Sequence, residues 1–144
     1  MRWIEVSPIP VKRRARFSWH TGKAYTDTST KADLLRISNS WDGKFYESEA
    51  LALLIHVYQT LPDTKAKRMH SDPFTIKPDV DNILKAVMDG LNGRAYADDK
   101  QIVVVIVRKH PRTRDIQGEC IKYALVPIEE VESGIIERGA FGVR

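Results

Sequence analysis

Residues 77–109 read KPDVDNILKAVMDGLNGRAYADDKQIVVVIVRK, a stretch that sets five aspartates around a short helical pattern and then runs into an apolar strand. If the helix begins near Asp81, then Asp81, Lys85 and Asp89 recur every fourth position along one stripe, while Val80, Ile83, Leu84, Val87 and Leu91 gather opposite. One side packs and the other carries charge. Pro78 with Asp79 or Asp81 suits the helix start, since a short carboxylate caps free backbone N–H groups, and Asn92-Gly93 suits the stop. Capping and the helix dipole account for one acid at this end and leave a second unexplained. With Asp98 and Asp99 standing just ahead of the strand, up to four carboxylates are expected to converge where helix and strand meet. Such a cluster repels itself unless a cation sits in it.

Hard divalent cations take oxygen ligands, and Mg²⁺ keeps several waters while accepting one or two carboxylates and substrate phosphate oxygens. Asp79, Asp81 and Asp99 supply oxygen and no soft ligand. The chain has no cysteine pair and no HExxH pattern, and its histidines, His20, His56, His70 and His110, stand far apart, which argues against zinc. Lys85 admits two readings. It is an i,i+4 partner of Asp81 worth about 0.3 kcal/mol, or it holds a scissile phosphate and offsets the charge that develops there.

KPDVDNILKAVMDGLNG followed by AYADDKQI resembles the signature of the RusA-type Holliday junction resolvases, metal-dependent endonucleases common on phages and prophages. The shared pattern is a basic residue, often with proline, then D-x-D-N, a lysine one turn later, D-x-L-N-G, and a D-D pair before a strand. Each element is present here in order, and the likeness extends more loosely to PIPVKRRARF near the start and to IVVVIVRK. The resemblance implies a single α+β domain over residues 1–144, a mixed sheet flanked by helices, assembled as a homodimer. It implies that Asp79 and Asp81 are metal-binding catalytic carboxylates with Asp99 as the third. Asp98 is the neighbour that exchanges roles with Asp99 if the preceding loop differs in length. Lys85 matches the family's catalytic lysine. Asn82 and Asp89 also match the pattern, but each has a structural task open to it: Asn82 as a backbone partner in the turn, Asp89 as an ion pair with Lys85.

The chemistry so implied is Mg²⁺-dependent phosphodiester hydrolysis, with Mn²⁺ as a substitute, on branched DNA. A four-way junction has near two-fold symmetry and needs paired nicks, which a C2 dimer with two sites supplies. Two other classes share the sequence features: a nuclease for flaps or other branched DNA, and a DNA-binding phage protein without turnover. Retention of Asp79, Asp81, Lys85 and Asp99 together argues against a decayed site.

Charge distribution fits a nucleic-acid partner. The chain carries a net charge of +4, and residues 1–25 hold Arg2, Lys12, Arg13, Arg14, Arg16 and Lys23 against Glu5 alone. Further basic runs are Lys65, Lys67 and Arg68, and Arg108 to Arg114, whereas Glu129, Glu130, Glu132 and Glu137 make the end acidic. Any one run is an ordinary solvated surface. Several of them beside an acidic metal site favour a phosphate backbone, with Arg13, Arg14 and Arg16, together with Lys12, the first candidates for DNA contact.

At 144 residues and 42% hydrophobic content the chain suits one globular domain with a real core. Its single cysteine, Cys120 in CIKYALV, reads as a buried strand residue in a reducing compartment. No secretory apolar region and no apolar stretch near membrane-spanning length is visible, so a cytoplasmic location and no membrane partner are expected.

The remaining elements follow from periodicity and turn residues. Arg2 to Val6 reads as a strand, and Ala15–His20 with Lys23–Thr26 as a hairpin around Thr21-Gly22. Thr30 to Ile37 reads as a short helix capped by Ser29 or Thr30, and Leu53 to Gln59 as a strand. Leu61 to Thr75 reads as a polar, mobile loop near the site, containing His70, a surface residue by default. The continuous VVVIV of Gln101–Lys109 predicts a central strand covered on both faces. Cys120 to Ile128 is the last strand, and the glutamates after it a fraying helix. Trp3, Trp19 and Trp41 read first as packing anchors and second as base-stacking groups. Tyr96 is placed over the metal pocket or against DNA.

Overall fold

The segment LALLIHVY is apolar at almost every position, and only a strand covered on both faces buries such a run. It forms β4 (Leu51–Tyr58), seven of whose eight residues are buried. The computed structural model describes residues 1–12, 16–25, 28–61, 77–113 and 118–132. Within them β1 (Ile4–Val6), β4, β5 (Ile102–Lys109) and β6 (Cys120–Pro127) form one sheet in the order β1-β6-β4-β5. β6 runs antiparallel to β1 and β4, and β5 runs parallel to β4. A parallel neighbour needs a crossover, and the motif helix supplies it on the way from β4 to β5.

Among the described residues three α-helices join this sheet in an α+β fold: α1 (Thr28–Ser40), α2 (Val80–Leu91) and the short α3 (Ile128–Glu132). Ile37 of α1 and Ile83, Val87 and Leu91 of α2 pack with Leu53, Ile55, Val57, Ile121 and Tyr123 of the sheet in the main core. The other face carries a smaller cluster of Ala52, Leu54 and Val126, with Trp3, Val104, Ile106 and Val131 against it. Gly90 allows α1 and α2 to touch: a Cβ there would lie 2.5 Å from the Ile37 Cβ. A small hairpin, β2 (Arg16–Phe17) with β3 (Ala24–Tyr25), turns at Gly22, whose φ of 68° favours glycine.

Several expectations shift. Among the described residues β5 stands at the edge of the sheet and not at its centre; its apolar run is only half covered, with Val103 57% and Val105 38% exposed. The centre belongs to β4, which begins two residues before the predicted strand. α1 starts at Thr28 and ends at Ser40, so Ser29 and Thr30 lie inside it rather than capping it, and Thr30 is buried. Val80 opens α2 and is 43% exposed, off the packed face. Of the predicted loop only Leu61 is described; the rest of it, His70 included, lies outside the described residues, as does Glu137. Cys120 is buried and free, as expected. No helix among the described residues is long and apolar enough to cross a membrane.

Candidate active site

Asp79 is the N-cap residue of α2, with extended backbone angles, yet its side chain makes no capping hydrogen bond. The capping role that would explain this acid is therefore not taken up. Two residues on, Asp81 is 64% exposed and faces Lys85 at 4.0 Å across one helical turn. An exposed pair at that distance contributes about 0.3 kcal/mol. Asp79 and Asp81 are thus presented at one helix end with little structural employment. Asp79 and Asn82, with Glu119 opposite, line a cleft of about 490 Å³ walled by Pro8, Ile9 and Pro78.

The segment before the basic run is strapped onto this helix. The Lys12 N–H donates to the Asn82 carbonyl at 3.1 Å. Val11 donates its N–H to Asp33 of α1 at 3.0 Å, and Arg36 donates to the Pro8 carbonyl at 3.1 Å. The Lys12 ammonium forms a close ion pair with Asp89. Asp89 is therefore engaged by Lys12 and not by Lys85, because the strap crosses the charged stripe of α2 at that level. Lys12, a candidate for DNA contact, is held at the helix. Arg13, Arg14 and the side chain of Arg16 lie outside the described residues.

The D-D pair separates into two tasks. Asp98 is the N-cap of the 3₁₀ turn Asp99–Gln101: its carboxylate accepts the Lys100 N–H at 3.0 Å, and Gln101 Oε1 accepts the N–H groups of Ala97 and Asp98. This is a capping box, and the spacing D-x-x-Q announces it in the sequence. Gln101 is buried and also donates to the carbonyls of Tyr46 and Glu49, which locks the turn to the segment ahead of β4. Asp99 points elsewhere. Its Oδ1 lies 2.9 Å from the hydroxyl of Tyr96, which lies 2.7 Å from the Met88 carbonyl. Tyr96 is fully buried, and burial, then the Asp99 carboxylate, push its phenol well above the usual range. Tyr96 thus neither roofs an open pocket nor faces solvent. It clamps Asp99 to the end of α2, a role that no sequence pattern announced.

These bonds fix where Asp99 lies relative to Asp79 and Asp81. Met88 is seven residues beyond Asp81 on α2, about 10 Å along the axis at 1.5 Å per residue. The sheet gives a second ruler. Ile102, just after Asp99, pairs with Leu51, whereas the Lys77 carbonyl beside Asp79 receives the Gln59 amide at 3.0 Å, just past the other end of β4. Leu51 to Tyr58 spans about 23 Å of strand. Asp79 and Asp99 stand at opposite ends of the domain, and the expected convergence does not occur within one chain. Among the described residues no three His, Cys, Asp or Glu side chains are grouped to hold a metal ion. The donors Asp79 and Asp81 by themselves fit a hydrated hard cation, which needs only one or two carboxylates; the trio with Asp99 does not.

On the other face of the sheet His56 and His110 share a hydrogen bond, Nδ1 to Nε2, at 2.8 Å, and His110 stacks on Tyr58. Burial, then His56 and Arg108, lower His110 to about 4. Trp41 is buried and Trp3 half-buried, as packing groups should be, but Trp19 at the hairpin turn is 90% exposed, edge-on to Phe17.

In comparison with protein families, the model described as endodeoxyribonuclease RusA matches residues 5–116. Comparison with curated proteins finds no match.

Proposed function

The chain belongs to the RusA endodeoxyribonuclease family, and from that premise we propose that it resolves four-way DNA junctions by paired, symmetric, metal-dependent nicks. The nucleases of this family are metal-dependent and act on branched DNA. The observation that carries the reading for this chain is the pair Asp79 and Asp81, offered uncapped at the start of α2 with Lys85 one turn on. Mg²⁺ suits these donors best, with Mn²⁺ as a substitute. When bound, such an ion supplies an acidified water and a polarised phosphate.

The chain's own groups do the rest. Asp79 and Asp81 would hold the ion, and a carboxylate of the pair would take up the proton released from the attacking water. Lys85, its ammonium free to swing from an exposed 4.0 Å pair, meets a phosphate oxygen and offsets charge as the leaving oxygen departs. Of the D-D pair, Asp99 is the proposed catalytic carboxylate, because Asp98 is occupied by its capping box. The basic run Arg13, Arg14 and Arg16, next in sequence to Lys12, supplies the proposed contact with the phosphate backbone.

The test is cleavage of a labelled synthetic four-way junction beside matched duplex and flap, with Mg²⁺ or EDTA, by wild type and Asp81→Asn. Symmetric Mg²⁺-dependent nicks lost in the variant are expected, with junction binding retained. Preference for the flap would move the reading to another branched-DNA nuclease. Binding without cleavage under Mg²⁺ or Mn²⁺ would move it to a non-catalytic DNA-binding protein.

A further inference from the structure

The hairpin of β2 and β3 carries side chains that neither the core nor the metal chemistry uses. Phe17 and Tyr25 are about half exposed and Trp19 almost wholly so, three of the four Phe, Tyr and Trp side chains exposed among the described residues. Scattered apolar groups on a surface call for no explanation. Three rings on a ribbon of two-residue strands do, because every residue from Phe17 to Tyr25 except Ser18 is exposed and so short a ribbon gains little from packing. Its tip is nevertheless built. The Ser18 N–H donates to the Lys23 carbonyl at 2.9 Å, the Gly22 N–H to the Ser18 carbonyl at 2.8 Å, and the Thr21 N–H to Ser18 Oγ at 3.4 Å. Trp19 stands in the turn so closed, and Phe17 braces it, the two rings edge-on at 5.2 Å and 85°. A braced ring offers its flat face to a ligand with little rotamer freedom left to lose.

We propose that this hairpin reads the branch: Trp19, braced by Phe17, stacks on a base left unstacked where the arms of the DNA meet, and so sets the preference for branched over uninterrupted DNA. The inference rests on the branched-DNA reading of the chain, and it goes beyond it by naming the group that recognises the branch.

Charge decides the occupant. Residues 16–25 hold Arg16, His20 and Lys23 and no acid. A second copy docked here about a two-fold axis would set this basic patch against itself, whereas a polyanion complements it. Aromatic rings set among cations suit single-stranded nucleic acid, in which bases stack on the rings whatever their sequence. In an uninterrupted duplex each base face is already covered by its neighbours, so the indole gains nothing there. It gains at a branch, where stacking is broken. The chain also limits how far the hairpin stands from the α2 start. Arg16 is four residues beyond Lys12, whose N–H is bonded to the Asn82 carbonyl, and four residues span at most about 14 Å. That is about four base steps of one strand, so a single branch point serves both the base of the hairpin and the acids of α2.

The test is a comparison of affinities. Wild type, Trp19→Ala and Trp19→Tyr are titrated against a labelled four-way junction, a flap and a matched duplex, in EDTA so that no strand is cut. Trp19→Ala is expected to weaken binding to the branched substrates about tenfold and to leave duplex affinity unchanged, while Trp19→Tyr, which keeps an aromatic face, restores most of the loss. A fluorescent adenine analogue placed at the branch should be quenched by wild type and much less by Trp19→Ala at saturation. Equal losses on branched DNA and duplex would make the ring a backbone contact and overturn the proposal. So would unchanged affinity for the branch, equal quenching by the two proteins, or a changed oligomeric state of Trp19→Ala in sedimentation, which would place the ring at a protein contact. A wild type with no preference for either branched substrate over duplex also overturns it. Preference for the flap, or failure to nick junctions when Mg²⁺ is added, would count against the resolvase reading alone, since the loss on the preferred branched substrate would still decide the role of Trp19.

Discussion

Removing one oxygen atom from Tyr96 tests the clamp on Asp99. The Tyr96 hydroxyl has one proton and two acceptors within reach, Met88 O at 2.7 Å and Asp99 Oδ1 at 2.9 Å. Tyr96→Phe keeps the buried ring, so no large cavity opens. The Met88 carbonyl remains satisfied, because Asn92 N–H donates to it at 3.0 Å. The loss thus falls on Asp99, and a hydrogen bond to a charged acceptor contributes about 1.5–3 kcal/mol. Asp99 keeps partial access to water, which places the expected cost near the lower figure, about 1.5 kcal/mol. For a domain of this size that lowers Tm by about 3–6 °C. Urea unfolding of wild type, Tyr96→Phe, Asp99→Ala and the double variant closes a thermodynamic cycle, with an expected coupling of about 1 kcal/mol or more. A coupling within about 0.3 kcal/mol of zero would show that the hydroxyl serves the Met88 carbonyl and that Asp99 is held by its turn alone.

Three further outcomes follow from other parts of the fold. Gly90→Ala gains about 1 kcal/mol of helix propensity but drives a Cβ to 2.5 Å from Ile37 Cβ and 3.0 Å from the Leu34 carbonyl, so overpacking of about 1–3 kcal/mol wins; a raised Tm would refute the close crossing of α1 and α2. His110 has its folded value lowered from 6.5 to about 4 by burial, His56 and Arg108. The unfolded chain therefore takes up the proton first: stability is complete above pH 6.5 and declines as pH falls toward 4. Urea midpoints across that window should fall less steeply in His110→Gln, and parallel curves would dismiss the histidine as the source. Trp19, 90% exposed, should leave the melting temperature unchanged when replaced by alanine, while junction affinity by fluorescence anisotropy weakens about tenfold, the share of one base stacked on an aromatic ring; equal affinities would return this side chain to the bare surface.

What the sequence yielded readily was local. The apolar stripe of α2, its stop at Asn92-Gly93 and the hairpin turn at Gly22 are each written in residues a few positions apart, where period and turn chemistry act. The place of β5 was not, because VVVIV reads the same in a covered strand as at an edge whose second neighbour is absent among the described residues. Burial of β4 on both faces decides which strand is central, and that depends on β1, β5 and β6 arriving from distant parts of the chain. Lys12 is the same case: its partner Asp89 lies far off in sequence, so the nearer Lys85 looked the natural mate on helical spacing alone. The division of labour between Asp98 and Asp99, by contrast, was legible and passed over. Asp98 and Gln101 spell a capping box, and that local pattern already frees Asp99 for other work.

The carboxylates show most clearly where proximity in sequence misleads. D-x-D-N and D-D lie within one short motif, and a motif invites the picture of a single cluster. The residues between them are a helix, however, and a helix is a rod: every residue that makes α2 regular also drives its two ends apart, by about 18 Å over its length. The loop after Asn92 then feeds the D-D turn onto the far end of the rod, and Tyr96 fastens it there. A chain that keeps both acid pairs and separates them with a packed helix has divided in space a motif that is contiguous in sequence, and the division follows from the regularity of the helix itself.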